Sequence, residues 1–520
     1  MTELNGAQSL IRTLVDSGVE VCFANPGTSE MHFVAALDAV PAMRGVLGLF
    51  EGVVTGAADG YARIAGKPAA TLLHLGPGLG NGLANLHNAR RAHSPIVNVI
   101  GDHATYHKQY DAPLESDISA VAGSLNGWLH RCERTADVGA DAARAVAAAQ
   151  DAPGRIATLI LPADVSWGEG GETAEPVEPN GPRPVAAATV QEIADIVAGG
   201  ETVALLIGGA ACREAGLRAT SRIAQATGAR ALVETFPARL ERGAGLPAVE
   251  RLGYLAELAT RQLDGAAHVI LAGAKSPVSF FAYPGKASVL VPGRAQVHVL
   301  ADDADDVVQA LEDLAELVAA KTEPVLQAAA RPDLPSGPLT LQSWVEVIGA
   351  LLPERAIIAD EANTSGLLLP AATAGAPRHD VLTLTGGSIG FGMPVATGAA
   401  VAAPDRPVIN LQSDGSAMYT ISALWTQARE NLNVTTVVLN NRAYAILRME
   451  LQRVGAEGHG PMANELLDLS RPDIDFVKIA EGMGVPATRA TTAEELAEQF
   501  ERAVAEPGPH LIDALVPSPL

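Results

Sequence analysis

The chain has 520 residues, of which 48% are hydrophobic, 18% charged and 4% aromatic. A chain of this length exceeds one ordinary core, so we expect two to four domains. The formal net charge of −23 argues against nucleic acid or an anionic membrane surface as a partner.

Three features of the sequence bear on its compartment. The cysteines Cys22, Cys132 and Cys212 lie far apart in the sequence and form no metal-binding motif, which indicates a reducing compartment. Residues 1–18 have the pattern of an amphipathic helix and lack the apolar core of a signal peptide. No apolar run is long enough to span a membrane. We therefore expect a soluble, cytoplasmic protein.

Residues 1–170 alternate helix and strand signals. Five short apolar runs predict strands at Val19–Ala24, Val46–Phe50, Ala69–His74, Ile96–Ile100 and Ile156–Leu161. The alternation of such strands with helical segments is typical of a domain built on a parallel sheet.

Two segments rich in Gly, Pro and charged residues, 168–187 and 321–338, are predicted linkers. Between them, strands are predicted at Thr202–Ile207, Ala231–Glu234, Val269–Ala272, Val289–Val291 and Val297–Leu300. After them, strands are predicted at Ala356–Ala359, Val381–Leu384, Val408–Leu411, Val434–Leu439 and His510–Ala514. The predicted fold class is therefore α/β, with three doubly wound parallel-sheet domains at 1–170, 188–320 and 339–520.

The most informative stretch is 408–445, which has a strand–turn–helix–strand pattern. Asp414 follows its first strand and Asn441 follows its second, so both are expected at the carboxyl edge of one sheet. Their oxygens suit Mg²⁺ or Ca²⁺. Gly415 and Ser416 stand where a backbone amide and a helix N-terminus can meet a phosphate. The plainer interpretation is a turn with a serine N-cap.

This stretch resembles the diphosphate–metal motif of thiamine diphosphate (ThDP) enzymes, through the tripeptide Ser413-Asp414-Gly415 and the pair Asn440-Asn441 downstream. In that family a glycine stands at the Ser413 position. The resemblance implies that Mg²⁺ is held by Asp414, Asn441 and the backbone carbonyl of Ala443. It also implies cofactor contacts in the segments on either side, at Gly415, Ser416, Tyr444, Ala445 and Ile446.

A second signature surrounds Glu51, in the run GVLGLFEGVVTGAADGYARIAGKP. A carboxylate placed directly after an apolar strand is expected to be buried, which suits proton transfer, although Glu51 could instead cap the following helix. The run resembles the pyrimidine domain of ThDP enzymes. In that family the glutamate bonds N1′ of the aminopyrimidine and so activates the cofactor. The turn after the first strand is predicted to contact the cofactor as well, through Asn25, Pro26 and Gly27.

Three further segments are predicted to contact ThDP through the same resemblance. The glycine-rich loop Gly76–Asn81 lacks the spacing of a nicotinamide-binding loop; the resemblance implies that it closes over the pyrimidine, with Gly78 in contact. The loop before Pro394 supports the bent cofactor, with the carbonyl of Gly387 accepting the 4′-amino group, Ser388 beside it and Ile389 wedged between the rings. Asn363 and Thr364 are the diphosphate contacts expected after the strand Ala356–Ala359.

His74 ends a predicted strand and aligns with an acid–base histidine of benzoylformate-decarboxylase-like members of the family. It is therefore predicted to be catalytic, although it could merely fill space under the glycine-rich loop. A weaker prediction assigns four residues to the substrate pocket: Thr28, His103, His107 and Leu114. A surface position is the alternative for His103 and His107.

The resemblance implies a ThDP- and Mg²⁺-dependent lyase or transferase that decarboxylates a 2-oxo acid, joins its acyl group to an aldehyde or second oxo acid, or both. It also implies a homodimer or homotetramer with the cofactor between subunits, and FAD is not expected. The alternatives are a true acetolactate synthase acting on pyruvate and a non-catalytic ThDP-binding paralogue or partner subunit. Pro113-Leu114 replaces the Phe-Gln pair of acetolactate synthases, and Phe280 or Phe281 replaces the second histidine of benzoylformate decarboxylases.

Overall fold

The computed structural model describes residues 3–456 and 460–518. Its first part contains, in chain order, β1 (Leu4–Asn5), α1 (Gly6–Asp16), β2 (Val21–Asn25), α2 (Met31–Ala39), β3 (Arg44–Leu47), α3 (Glu51–Ala65), β4 (Ala69–Leu73), α4 (Leu75–Arg91), β5 (Ile96–Asp102), α5 (Ile118–Gly123), β6 (Trp128–Arg131), α6 (Val138–Gln150), β7 (Ile156–Pro162), α7 (Ala163–Trp167) and β8 (Glu169–Gly171). Six of these strands form a parallel sheet in the order β3-β2-β4-β5-β7-β6. Its central strands are buried along their whole length, as strands covered by helices on both faces are.

The second part is a smaller unit. It contains α8 (Ala187–Ala198), β9 (Val203–Ile207), α9 (Glu214–Thr227), β10 (Arg230–Val233), β11 (Leu240–Arg242), β12 (Glu250–Arg251), α10 (Ala256–Leu263), β13 (His268–Ala272), β14 (Gln296–Ala301) and α11 (Val307–Ala319). Five strands form a parallel sheet in the order β12-β10-β9-β13-β14.

The third part contains α12 (Ser343–Leu351), β15 (Ile357–Glu361), α13 (Leu369–Ala372), β16 (His379–Thr383), α14 (Gly392–Ala402), β17 (Val408–Ser413), α15 (Asp414–Ala417), α16 (Ala423–Arg429), β18 (Val434–Asn440), α17 (Ala445–Arg453), α18 (Pro461–Glu465), α19 (Phe476–Gly482), β19 (Ala487–Ala490), α20 (Ala493–Ala505) and β20 (His510–Leu515). Its sheet has the order β11-β16-β15-β17-β18-β20-β19. The edge strand β11 comes from the second part of the chain and runs antiparallel to β16.

The predicted fold class is confirmed, since each of the three parts carries a parallel sheet with helices packed on it. One predicted strand is wrong: Val289–Val291 makes only an isolated bridge between Val289 and Val278. Val289 is exposed and Pro292, which has no amide hydrogen, follows directly, so the pairing does not extend beyond this bridge into a strand. Among the described residues, no helix is long and apolar enough to cross a membrane.

The predicted loop Gly76–Asn81 is also wrong, because helix α4 begins at Leu75 and runs through it. Pro77 is tolerated since the first helical turn has amide groups without intrahelical partners. The glycines serve packing: a methyl group at Gly76 would overlap the side chain of Ser116, and one at Gly82 would lie 2.9 Å from Thr55 Cγ2. Close packing has overridden the poor helix propensity of glycine.

Helices α3 and α14 join the first part to the third. They approach so closely that a methyl group at Gly60 would overlap the backbone of Val395, and one at Gly398 would overlap that of Ala57. The same face of α3 carries a buried ion pair in which Arg63 Nη2 lies 2.6 Å from Asp59 Oδ2. Arg63 Nη1 also donates to the carbonyl oxygens of Thr383, at 2.8 Å, and Ala238, at 3.2 Å. One guanidinium therefore connects all three parts.

Arg63→Met is expected to destabilise the fold by about 3–5 kcal/mol, because it leaves the Asp59 carboxylate buried without its partner. The measurement is the denaturant midpoint by circular dichroism. Arg44→Met is the matched control, since Arg44 pairs with Glu430 on the surface and such pairs contribute about 0–1 kcal/mol. Equal shifts in the two variants would contradict the prediction.

Candidate active site

The first half of the candidate site lies at the carboxyl edge of the first sheet. Strands β2, β4 and β5 are neighbours there, so the Asn25-Pro26-Gly27 turn after β2 lies beside His74, which follows β4. Gly27 lies against the imidazole so closely that a methyl group would overlap the ring. His74 Nδ1 lies 2.7 Å from Oε2 of Glu30, a residue that the sequence analysis did not identify.

Glu51 is the first residue of α3, so it lies at the start of a helix rather than directly at a strand end. Its side chain is buried, with 8% of the residue exposed. Its Oε2 accepts a hydrogen bond of 3.0 Å from Asn81 Nδ2. Gly78 lies beside both Glu51 and His74: a methyl group there would lie 3.2 Å from Glu51 Oε1 and 3.5 Å from His74 Cβ. The two predicted catalytic residues therefore both border one glycine.

The four residues predicted for the substrate pocket are more scattered. Thr28 is exposed in a 3-10 turn after Gly27. His107 and Leu114 are exposed, whereas His103 is half-buried and its ring lies 5.5 Å from that of His107. The structure groups Thr28 with His74 through Gly27 and shows no contact that groups the other three with them.

The second half of the candidate site lies at the carboxyl edge of the third sheet, where β15, β17 and β18 are neighbours. Asp414 Oδ1 accepts the amide of Gly415 at 2.8 Å, and its Oδ2 accepts the amide of Arg442 at 2.6 Å. Asn441 Oδ1 accepts the amide of Ala443 at 2.9 Å. Asp414 thus meets the Asn441–Ala443 turn, as the sequence predicts.

This edge fits a divalent cation. Burial raises the pKa of Asp414 to about 6, opposed by the backbone amides of Gly415 and of residues 441–443. The groups seen in contact with this carboxylate are the backbone amides of Gly415 and Arg442. With the amide oxygen of Asn441 and the carbonyl of Ala443 it offers hard oxygen ligands. Residues 3–456 and 460–518 contain no cluster of three or more His, Cys, Asp or Glu that could hold a metal instead.

Ser413, which departs from the family motif, costs no backbone strain. Its φ of −72° and ψ of 145° are extended values that any residue adopts. Ser416 Oγ accepts a 2.8 Å hydrogen bond from Gln412 and donates to the carbonyl of Ser413. Gly415 lies under the ring of Tyr444, which a methyl group there would overlap. Ala445 is buried and Ile446 is half-buried at the start of α17.

The glycine-rich loop before α14 is held by a buried carboxylate that the sequence analysis missed. Glu361, the last residue of β15, accepts the amides of Gly390 at 2.7 Å and Gly392 at 2.6 Å, together with Nε2 of Gln412 at 2.9 Å. Burial raises the pKa of Glu361, while these three donors lower it. The acidic residue at a strand end was visible in the sequence, but its partners lie 29 to 51 residues away.

Helix α4 holds the other side of the same loop. Asn88 Nδ2 donates to the carbonyl of Ser388 at 2.8 Å and its Oδ1 accepts the Ser388 amide at 3.1 Å. Asn85 Nδ2 donates to the carbonyl of Gly390 at 3.2 Å. Ile389 is half-buried and packs on the core between α3, α4 and α14. The asparagine-rich character of 81–88 was the available signal for this role.

Gly387 has a φ of 71°, which an L-residue with a side chain adopts only with strain. The tip of the Phe280 ring would lie 2.6 Å from a methyl group at this position.

Asn363 is exposed and donates from Nδ2 to Ser413 Oγ at 3.1 Å, which joins its turn to the Asp414 segment. Thr364 is half-buried in the same turn.

A separate cavity of about 720 Å³ contains none of the predicted site residues. It is lined by residues of three segments: Ala244; Ala329, Ala330 and Arg331; and Glu354, Arg355, Gly375, Pro377 and Arg378. The candidate site is therefore defined by its side chains rather than by this cavity.

Comparison with known proteins bears on this arrangement. Residues 4–122 match the family described as "Thiamine pyrophosphate enzyme, N-terminal TPP binding domain", and residues 367–514 match its "C-terminal TPP binding domain". A Mycobacterium tuberculosis protein named "Putative acetolactate synthase large subunit IlvX" is 67% identical over 518 residues, 99% of each chain. The chain belongs to the thiamine diphosphate enzyme family.

Two further relatives lie on the decarboxylase side of the family. The benzoylformate decarboxylase of Pseudomonas aeruginosa is 30% identical to this ThDP enzyme, over 95% of this chain and 96% of its own. The solved structure of a ThDP-dependent 4-hydroxybenzoylformate decarboxylase from Rhodococcus jostii superposes with a TM-score of 0.86 at 24% identity, over 99% of each chain, which supports the fold alone. This ThDP enzyme is therefore related to both acetolactate synthases and benzoylformate decarboxylases, and decarboxylation or carboligation is the function of its family.

Proposed function

We propose that this ThDP enzyme uses Mg²⁺ and cleaves or forms the C–C bond next to the carbonyl of a 2-oxo acid. The thiazolium ring of ThDP supplies the electron sink for such a bond when it is bound. The observation that carries the proposal is the placement of both Glu51 and His74 beside Gly78. One buried carboxylate and one imidazole at the same sheet edge provide two separate proton-transfer groups.

The roles proposed for these residues come from the family motifs that they match. Glu51 would exchange a proton with N1′ of the aminopyrimidine when ThDP is bound, and the backbone of Gly387 would accept the 4′-amino group. Asp414, Asn441 and the carbonyl of Ala443 would hold Mg²⁺, with Gly415 and Ser416 at the diphosphate. His74 would move a proton at the substrate oxygen from Nε2, because its Nδ1 faces the carboxylate of Glu30.

The experiment is a panel of 2-oxo acids, including pyruvate and benzoylformate, assayed for CO₂ release with and without aldehyde acceptors. We expect CO₂ release from at least one acid, dependent on ThDP and Mg²⁺. Release of CO₂ without added acceptor supports a decarboxylase, and a coupled product supports a carboligase. No CO₂ release or coupled product from any acid would favour the non-catalytic alternative.

Acetolactate synthesis from pyruvate is the second candidate. The name of the 67% identical relative favours it. The sequence Pro113-Leu114 argues against acetolactate synthesis, because acetolactate synthases have a Phe-Gln pair at this place. Leu114 is exposed in this chain. Formation of acetolactate from pyruvate alone would decide for this candidate.

Asp414→Ala is expected to uncouple ThDP binding from Mg²⁺, because it removes the charged ligand of the proposed metal site. The measurement is calorimetric titration with ThDP at several Mg²⁺ concentrations. Asp405→Ala is the control, since Asp405 pairs with Arg355 on the surface. Unchanged Mg²⁺-dependent ThDP binding in Asp414→Ala would refute the metal site.

The proposed assembly is a homodimer or homotetramer with the cofactor between subunits. Exposed apolar side chains flank both halves of the site, with Leu49 before Glu51, and Met418 and Tyr419 after Ser416. A second copy of the chain would cover such residues, and light scattering of the purified protein tests this.

The proposed location is the cytoplasm, because all three cysteines are free and buried.

A further inference from the structure

We propose that Glu30 is a positioning residue that fixes the ring orientation and the tautomer of His74. The inference rests on the proposed role of His74 and adds a residue to it. Glu30 Oε2 lies 2.7 Å from His74 Nδ1, and it also accepts the amide of Gly27 at 2.7 Å. With Nδ1 donating to this carboxylate, Nε2 is the nitrogen left free to exchange a proton.

The burial of the two partners is unequal, as this role requires. The side chain of Glu30 is 1% exposed, whereas that of His74 is 23% exposed. The carboxylate is therefore removed from solvent and cannot itself meet a substrate, while the imidazole can. Burial raises the pKa of Glu30, and the His74 ring and the Gly27 amide oppose that rise.

Two glycines make room for the pair. Gly27 lies against the His74 ring, and Gly101, inside β5, lies against Oε1 of Glu30; a methyl group at either position would overlap the side chain it faces. Oε1 is buried and has no hydrogen-bond partner among the described residues, so the position of Glu30 depends on Oε2 and on this space. The neighbouring strands β2, β4 and β5 thus each supply one part of the arrangement.

The test measures the reactivity of His74 with diethyl pyrocarbonate against pH, using peptide mass spectrometry to separate it from the other histidines. The charged groups beside the ring are Glu30, in contact, and Glu51, which borders Gly78 as His74 does. Because Glu30→Gln removes the charged group that contacts the ring, it is expected to shift the pH midpoint of modification. Glu20→Gln is the control, since Glu20 pairs with Lys67 on the surface.

A second variant leaves both partners in place. Gly101→Ala is expected to displace the Glu30 carboxylate and to shift the midpoint in the same direction, with circular dichroism confirming the fold. An unchanged midpoint in both Glu30→Gln and Gly101→Ala would overturn the proposal. This measurement needs no substrate, so it remains decisive even if the proposed 2-oxo acid chemistry fails.

Where a 2-oxo acid is turned over, Glu30→Gln is expected to lower kcat by about 10–100-fold, the scale seen when a residue that orients a metal-binding histidine is lost. KM is expected to change little, because the carboxylate is too buried to contact substrate. A rise in KM with unchanged kcat would contradict positioning and assign Glu30 to binding.

Discussion

Glu51→Gln is expected to slow exchange of the C2 proton of bound ThDP by about 10²–10⁴-fold, the scale of loss for a general acid–base group. The substitution preserves shape, and an amide oxygen can still accept the hydrogen bond from Asn81 Nδ2. It removes only the group that exchanges a proton with N1′. We therefore expect the fold and ThDP affinity to remain, with the rate of C2 exchange measured by quenched-flow NMR.

Glu430→Gln provides the matched control for this experiment. Glu430 pairs with Arg44 at the surface, and Arg44 belongs to the strand that precedes Glu51. The same change of charge is thus made near the site without touching it. A wild-type exchange rate in Glu51→Gln would remove Glu51 from cofactor activation.

His74→Phe is expected to lower turnover of the best 2-oxo acid by about 10²–10⁴-fold while C2 exchange stays near the wild-type rate. The two effects separate because the substitution leaves Glu51, the proposed cofactor-activating group, unchanged. Loss of the imidazole also leaves the buried carboxylate of Glu30 without that partner, so some loss of stability is expected. Thermal melting of the variant measures that loss independently of turnover.

His298→Phe serves as the control, because His298 lies in β14, a strand that carries none of the predicted site residues, and its ring packs against that of His268. Its turnover is expected to stay within a few-fold of wild type. If His74→Phe also stays within a few-fold, His74 is structural, and His103 or His107 becomes the substrate-side candidate.

The buried parallel strands were the most predictable elements of the fold. Runs such as Val434–Leu439 carry a continuous apolar pattern because helices cover both faces, and β18 extends this run by one residue. Strands at or near sheet edges lack this pattern. β6 and β19 are half-exposed, and β11 has three residues whose partners lie more than 130 positions later in the chain. Non-local pairing of that kind leaves no periodicity to detect.

The residues of the candidate site also divide into those that local sequence signals identify and those that they do not. Asp414, Asn441 and Glu51 were identified because each stands beside local turn or strand signals. Glu361 and Glu30 were missed, since an acidic residue near a helix or strand end is ordinary in sequence. What makes both exceptional is the space and the donors supplied by distant segments, such as Gly101 for Glu30 and the Gly390–Gly392 amides for Glu361.

The edge strand β11 has a consequence for exchanging segments between relatives. Leu240–Arg242 lies between strands of the second sheet but completes the third, pairing Leu240 with Val381 and Arg242 with His379. A chimera that replaced 188–320 as a block would import a foreign border strand into the sheet that carries Asp414. Compatible crossover points must therefore keep β11 and β16 from the same parent. The segment that can be exchanged as a block thus differs from the domain boundaries that the sequence suggests.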